Sequence, residues 1–180
     1  NGVGIHHEAK TDQNTIVNLA NHAYFNLAGF QNPDAREMEL TLSAENYLPL
    51  NEKLIPTGEI KATKGTCFDF TEKRKIEVDL DHYFIFKNFD GTQQFVGSLY
   101  SPLSKIRMDI LTNQPGVQIY SCGAFEAARG KGGIPLHLNQ GIALETQGYP
   151  DNPNHNNFPK TILNTNETYV STTTFLFTQE

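Results

Sequence analysis

Cysteine is scarce in this sequence, and long apolar runs and basic clusters are missing from it. The 180 residues include two cysteines, Cys67 and Cys122, which are too far apart to indicate a disulfide framework or a paired-cysteine metal site. This usage is typical of a reducing compartment, so we expect a cytoplasmic protein. No stretch approaches the roughly 18 apolar residues that a membrane-spanning helix needs.

The net charge of the chain argues against some classes of binding partner. A formal net charge of -6 and a pI of about 5.5, with no basic run interleaved with aromatics, argue against nucleic acid or an anionic membrane as the partner. His6, His7 and Glu8 are adjacent, and neighbouring side chains of a strand point to opposite faces, so we expect no metal site there. The segment Gly130–Gly133 lacks the P-loop pattern of a nucleotide site.

Short β-type runs are present along the whole chain. They are rich in Val, Ile, Thr, Phe and Tyr, often alternate polar with apolar residues, and are separated by Gly, Pro, Asn and Asp turn signals. This pattern predicts an all-β fold, with antiparallel strands in stacked sheets and one domain over residues 1–180. The predicted strands are Thr15–Leu19, Glu37–Leu42, Lys75–Val78, Tyr83–Phe86, Gln94–Tyr100, Ser104–Leu111, Val117–Ser121, Ile142–Thr146 and Thr168–Phe177.

Residues 141–163 form the most informative segment. An apolar run ends in Glu145, and a stretch dense in Asn, Pro and Tyr follows. A carboxylate at the end of a strand, beside a rigid polar loop, is a common way for a β scaffold to present an acid or base. The amides and rings of the loop favour a sugar as the ligand. Glu145 is therefore a candidate general base if it is partly buried, or else a solvated strand-end carboxylate.

A second dense segment surrounds His22. Two asparagines and two aromatic residues flank this histidine in the stretch from Asn18 to Gly29. A histidine transfers protons near neutral pH, although an isolated one is more often bound by backbone carbonyls. Asp81, at the start of a strand, is suited either to accept sugar hydroxyls or to cap a turn. Gln118, a polar residue in a β run, is suited to bind a hydroxyl or to face solvent.

Together these segments resemble the aldose 1-epimerases, the galactose mutarotase family. The match follows family order over nearly the whole chain, and it is specific in combination rather than in any one piece. It rests on Asn18–Gly29, Pro56–Ile60, Phe68–Phe70, Asp81–Phe84, Pro115–Tyr120, Leu144–Gln147, Phe158-Pro159 and Tyr169–Thr173.

The resemblance implies a large antiparallel β-sandwich, called a supersandwich, that interconverts the α- and β-anomers of a free hexose without a cofactor. It implies that Glu145 is the base and His22 the acid, and that Asn21, Asp81 and Gln118 hold sugar hydroxyls. Family members are nearly twice as long, so the chain is expected to be the C-terminal half of such a protein. The family's sugar-binding arginine and a further histidine would then lie before residue 1.

Other functions are compatible with the same residues. A non-catalytic carbohydrate-binding sandwich would use the amides and rings without a proton-transfer pair. A glycoside hydrolase would use Asp81 and Glu145 as paired carboxylates, and a hexose-6-phosphate epimerase would need a basic phosphate pocket. The preferred hexose depends on one or two hydroxyl contacts, and both a monomer and a dimer remain open.

Overall fold

The computed structural model of the chain describes residues 1–32, 34–123 and 129–180. These residues contain short 3₁₀ turns, no α-helix, and fourteen strands. The strands are β1 (Gly2–Ala9), β2 (Thr15–Ile16), β3 (Tyr24–Phe25), β4 (Glu39–Leu42), β5 (Ala44–Leu48), β6 (Lys61–Ala62), β7 (Arg74–Lys75), β8 (Asp81–Phe86), β9 (Gln94–Tyr100), β10 (Ile106–Thr112), β11 (Gly116–Tyr120), β12 (Ile142–Gln147), β13 (Ile162–Leu163) and β14 (Tyr169–Gln179).

Two six-stranded sheets organise the described residues. The first sheet has the order β1-β14-β10-β9-β4-β7, and the second sheet has the order β3-β12-β11-β8-β5-β6. Strands β2 and β13 form a separate two-stranded ribbon. All the strand pairs are antiparallel, as the short alternating runs of the sequence predict.

The main hydrophobic core lies between the two sheets. Successive side chains of a strand point to opposite faces, so Met108 and Ile110 of β10 are buried while their neighbours are only partly covered. The second sheet contributes alternate residues of β8, β11 and β12 to the same cluster. The rings of Phe25 and Phe175, one from each sheet, have centroids 4.8 Å apart. Burying a side chain of this size contributes about 1.5–3 kcal/mol.

A smaller apolar cluster covers the other face of the second sheet. It consists of Leu48, Tyr83, Tyr149 and Phe158, all buried. The Tyr83 hydroxyl donates a hydrogen bond of 2.8 Å to the Gln147 carbonyl oxygen, which satisfies a phenol that would otherwise be costly to bury. This cluster fixes the loop that follows β12 against the sheet.

The structure confirms the all-β antiparallel fold class. The predicted strand Gln94–Tyr100 has the same bounds in the structure, whereas the run predicted at 15–19 shortens to Thr15–Ile16. Cys67 is exposed and Cys122 is buried, and neither is in a disulfide bond. None of the helices in the described residues is long and apolar enough to cross a membrane.

Candidate active site

Three neighbouring strands of the second sheet bring the predicted polar residues together. Gln118 of β11 lies opposite Glu145 of β12, and on its other side β11 pairs with β8, with Tyr120 opposite Asp81. Directly opposed residues of an antiparallel pair share a face of the sheet. Asp81, Gln118 and Glu145 therefore lie on one face, named the site face below, which is opposite to the main core.

Two asparagines anchor the segment that carries His22 alongside β12. Asn18 makes two hydrogen bonds with Gly148, donating to its carbonyl oxygen at 3.1 Å and accepting from its N–H at 2.8 Å. Asn26 donates to the Gln140 carbonyl oxygen at 2.9 Å. These contacts fix the segment beyond both ends of β12, and β3 pairs with β12 with Tyr24 opposite Ala143, a register that two further residues extend to His22 and Glu145. His22 is thereby placed opposite Glu145.

The two candidate proton-transfer residues are in contact. His22 Nε2 lies 3.3 Å from Glu145 Oε1, with the histidine side chain 49% exposed and the glutamate side chain 14% exposed. Burial raises the pKa of Glu145, the positive charge of His22 opposes that shift, and the negative charge of Asp81 adds to it. A half-exposed imidazole beside a desolvated carboxylate is suited to general acid–base chemistry. Sequence reasoning expected Glu145 at a strand end, but β12 continues to Gln147.

Asp81 and Gln118 form a second polar pair on the site face. The Gln118 side-chain amide donates to Asp81 Oδ1 at 2.7 Å, and both side chains are partly exposed. A hydrogen bond to the carboxylate holds both groups in fixed orientations, as a binding site for hydroxyls requires.

Asn21 has a local structural role. Its side-chain oxygen accepts a hydrogen bond of 3.1 Å from the backbone N–H of Ala23, which is an Asx turn immediately before β3. This turn shapes the chain around His22.

The amides of the loop after β12 bind the protein itself. Asn152 donates to the Tyr149 carbonyl oxygen at 2.7 Å, and Asn157 donates to the Gly58 carbonyl oxygen at 2.9 Å. The sequence pattern favoured these amides as ligands for a sugar, whereas in the structure Asn152 binds within its own loop and Asn157 joins this loop to the one that contains Gly58. Three of the predicted site residues, Asp81, Gln118 and Glu145, come from strands instead.

Cavity size and chemistry point to different places. A cleft of about 1050 Å³ is lined by residues that include Thr63, Thr71 and Arg74, and none of the predicted site residues borders it. A cavity of about 530 Å³ borders Asp81 and Tyr120. We place the candidate site at the contact between His22 and Glu145, because the volume of a cavity does not show which chemical groups line it. Among the described residues, no three or more His, Cys, Asp and Glu side chains assemble into a potential metal-binding group.

Two tyrosines beside His22 were not singled out from the sequence. The ring centroid of Tyr24 lies 4.9 Å from that of His22, and the centroid of Tyr120 lies 6.3 Å from it. Tyr24 is two residues after His22, and Tyr120 is two residues after Gln118. The period of two would have placed each on the same face as its polar neighbour.

Comparisons with known proteins identify the family of the chain. The aldose 1-epimerase family model matches residues 1–176. Human galactose mutarotase is 36% identical over 96% of this chain and 53% of its own length. Aldose 1-epimerase of Escherichia coli K12 is 32% identical over 100% of this chain and 56% of its own length.

The fold has solved counterparts. The crystal structure of a GalM/aldose epimerase homologue from C. elegans superposes with a TM-score of 0.89 at 24% identity, covering 99% of this chain and 56% of that one. The likeness at this identity concerns the fold, which is the galactose mutarotase-like sandwich. The chain spans about half the length of the curated relatives that it matches. On the family match and the relatives' identity, this chain belongs to the aldose 1-epimerase family.

Proposed function

We propose that this chain carries the acid–base pair of an aldose 1-epimerase acting on a free hexose such as galactose or glucose. The relatives named as galactose mutarotase and aldose 1-epimerase support this reaction class. The observation that carries the proposal is the contact between His22 and Glu145, two titratable groups from distant parts of the chain. A protein that only binds sugars needs no such pair.

The proposed reaction moves two protons in opposite directions. The Glu145 carboxylate removes the proton of the anomeric hydroxyl while protonated His22 donates a proton to the ring oxygen. The bond between the anomeric carbon and the ring oxygen breaks, and an open-chain aldehyde forms. Rotation about the C1–C2 bond exposes the other face of the aldehyde. As the ring closes to the other anomer, His22 takes back the proton from the hydroxyl that supplies the ring oxygen, and Glu145 returns its proton to the aldehyde oxygen.

The environment of each group suits its proposed role. Burial raises the pKa of Glu145 above the ordinary value for a glutamate, which makes the ionised carboxylate a stronger base. The greater exposure of His22 leaves its ring accessible to a ligand. Asp81 and Gln118, held by their mutual hydrogen bond, are proposed to bind the hydroxyls of the sugar. Asn21, whose side-chain oxygen accepts from Ala23, is proposed to bind a hydroxyl beside His22 through its side-chain NH₂ group.

Two further assignments remain proposals. One domain over residues 1–180 is supported by the core cluster, which draws side chains from both sheets. A cytoplasmic location is supported by the low cysteine content, two residues in 180.

Replacing Glu145 by Gln tests the proposed function. Polarimetry of freshly dissolved α-D-galactose and α-D-glucose follows the approach to anomeric equilibrium, from which the spontaneous rate is subtracted. We expect wild-type protein to accelerate this approach. Glu145→Gln should lower the enzymatic rate by about 10²–10⁴-fold, since the amide cannot accept the proton.

Glu72→Gln is the matched control, because Glu72 is an exposed glutamate that borders the cleft of about 1050 Å³, which none of the predicted site residues borders. This variant should retain the wild-type rate, and circular dichroism should show the same β fold for both variants. Equal rates for wild type and Glu145→Gln would contradict the proposal. Wild-type protein that leaves the spontaneous rate unchanged would also contradict it.

A further inference from the structure

Tyr83 of β8 reaches across one strand of the second sheet to the strand beyond it. Its hydroxyl donates a hydrogen bond of 2.8 Å to the carbonyl oxygen of Gln147, the last residue of β12. Strands β8 and β12 are both neighbours of β11 rather than of each other. Tyr83 lies opposite Gln118 of β11, and Gln147 lies opposite Gly116 of the same strand. The phenol therefore spans β11 and links its two neighbours.

The missing side chain of Gly116 provides the space for this ring. A Cβ atom added at Gly116 would clash with the Tyr83 hydroxyl oxygen and with the Phe84 carbonyl oxygen. A glycine within a strand often marks a point where another group approaches closely. Here that group is the phenol, and any larger residue at this position would displace the hydroxyl from its acceptor.

The Tyr83 phenol is closed to ligands. The residue is 0% exposed, and its ring centroid lies 5.2 Å from that of Tyr149 within the smaller apolar cluster. Burial raises the pKa of Tyr83 well above the ordinary value for a tyrosine, so the hydroxyl keeps its proton and remains a hydrogen-bond donor. Tyr83 therefore acts on groups of the protein rather than on a sugar.

Each strand linked by the phenol carries one candidate site residue, two positions from the point of contact. On β8 this residue is Asp81, on β11 it is Gln118, and on β12 it is Glu145. Side chains two positions apart on a strand share a face. A shift of β12 relative to β8 would change the distances between the three site residues, and the hydrogen bond of the phenol opposes that shift.

We infer that Tyr83 is a positioning residue, which holds Glu145 in place on the site face through the hydrogen bond from its hydroxyl to the Gln147 carbonyl oxygen. This bond attaches the end of β12 to β8 and so limits the movement of the strand that carries the proposed base. Tyr83 acts through β12 and touches no ligand. The inference rests on the proposed function for the role of Glu145, and it adds a residue that controls the surroundings of the base.

Titration of the Glu145 carboxyl group tests the positioning without any sugar. ¹³C NMR of protein labelled at the glutamate carboxyl carbons follows this titration, and the spectrum of Glu145→Gln identifies the signal. Tyr83→Phe keeps the ring and removes the hydroxyl. We expect Glu145 to titrate at lower pH in this variant than in wild type. A loosened strand admits water to the carboxylate, which removes part of the desolvation that raises its pKa. His22, Asp81 and Tyr24, which interact electrostatically with Glu145, are unchanged by the substitution.

Tyr149→Phe is the matched control. Tyr149 belongs to the same buried cluster, and its hydroxyl has no hydrogen-bond partner among the residues that the structure describes. This variant loses a phenol hydroxyl from the cluster but keeps the bond to Gln147, so Glu145 should titrate as in wild type. Circular dichroism should show the same β fold for both variants over the pH range of the titration.

The inference is overturned if Glu145 titrates at the same pH in Tyr83→Phe as in wild type, or if Tyr149→Phe lowers the titration as far as Tyr83→Phe does. Polarimetry separates this failure from failure of the proposed function. Tyr83→Phe should mutarotate about two- to tenfold more slowly than wild type, as expected for the loss of one neutral hydrogen bond. Wild-type protein that leaves the spontaneous rate unchanged would contradict the proposed function, and the NMR titration would still decide whether Tyr83 positions Glu145.

Discussion

The residues that the structure describes include two histidine–carboxylate contacts of similar length in different surroundings. His22 Nε2 lies 3.3 Å from Glu145 Oε1 on the site face. His155 Nε2 lies 3.1 Å from Asp151 Oδ2 within the loop that follows β12. The first contact joins segments from opposite ends of the described chain, whereas the second joins residues four positions apart.

The surroundings of the second pair are those of a structural clamp. His155 Nε2 is also 3.2 Å from the Pro56 carbonyl oxygen, and its ring centroid lies 4.8 Å from that of Phe158. Gly58 passes so close that an added Cβ would lie 2.6 Å from His155 Nδ1. This histidine fastens two loops together, and its side chain is 19% exposed.

A histidine and a carboxylate within about 3 Å of each other therefore do not by themselves identify an active site. In the first pair the carboxylate is the buried member and the histidine is open to a ligand, so a proton can pass between the pair and a bound molecule. In the second pair both side chains are largely covered, and the imidazole also contacts a backbone carbonyl oxygen. Accessibility of the histidine and burial of the carboxylate distinguish the candidate active site from the second pair.

Substituting each histidine by glutamine gives the largest expected difference between the pairs. His22→Gln removes the proposed proton donor to the ring oxygen, so the mutarotation rate should fall by about 10²–10⁴-fold. His155→Gln should leave that rate unchanged, because its histidine is proposed to act only on the loops. Polarimetry with freshly dissolved α-D-galactose measures both. A loss in His155→Gln as large as that in His22→Gln would remove the distinction.

In stability the order of the two variants should be reversed: His155→Gln should be the more affected variant. The change should be smaller than the change in mutarotation rate. His155→Gln loses the packing on Phe158 and weakens the contact with Pro56, so the free energy of unfolding should fall by about 1 kcal/mol. His22→Gln changes a half-exposed side chain and should stay within about 0.5 kcal/mol of wild type. Urea unfolding measures both values, provided that the m-value is unchanged. An equal loss in the two variants would show that His22 also has a structural role.

The sequence predicted strands with strong alternation more reliably than short ones. The run Gln94–Tyr100 and most of β14 were found from their β-branched and aromatic residues. Strands of two residues, such as β3 and β6, were missed because only the partner strand defines them. Strand β5 was missed because it contains Glu45 and Asn46, which weaken the apolar pattern.

Prediction of the candidate site from the sequence was limited in the same way, because its geometry depends on how distant segments pair. Local pattern marked His22 and Glu145 individually, and the family resemblance assigned their roles. The contact itself depends on hydrogen bonds between Asn18 and Gly148, which are 130 residues apart. A period of two predicts which side chains share a face of one strand, but it cannot predict which strands pair or in what register. The period of two relates Tyr24 to His22 and Tyr120 to Gln118, but only the pairing of β3 and β11 with β12 brings the two tyrosines together.

The dependence of the mutarotation rate on pH, after subtraction of the spontaneous rate, tests the central claim most directly. Raising the pH removes the proton from Glu145 and creates the base, so the rate should rise. It should fall again at higher pH when the acid partner loses its proton, giving a bell-shaped profile.

Burial raises the pKa of Glu145, and the charge of Asp81 adds to this against the opposing effect of His22. The acid limb of the profile should therefore have its midpoint above the ordinary pKa of a glutamate. A bell-shaped profile with that displaced acid limb is the predicted result. A mutarotation rate that does not change with pH would contradict the assignment of Glu145 and His22 as an acid–base pair. An acid limb with its midpoint at or below the ordinary pKa of a glutamate would also contradict it.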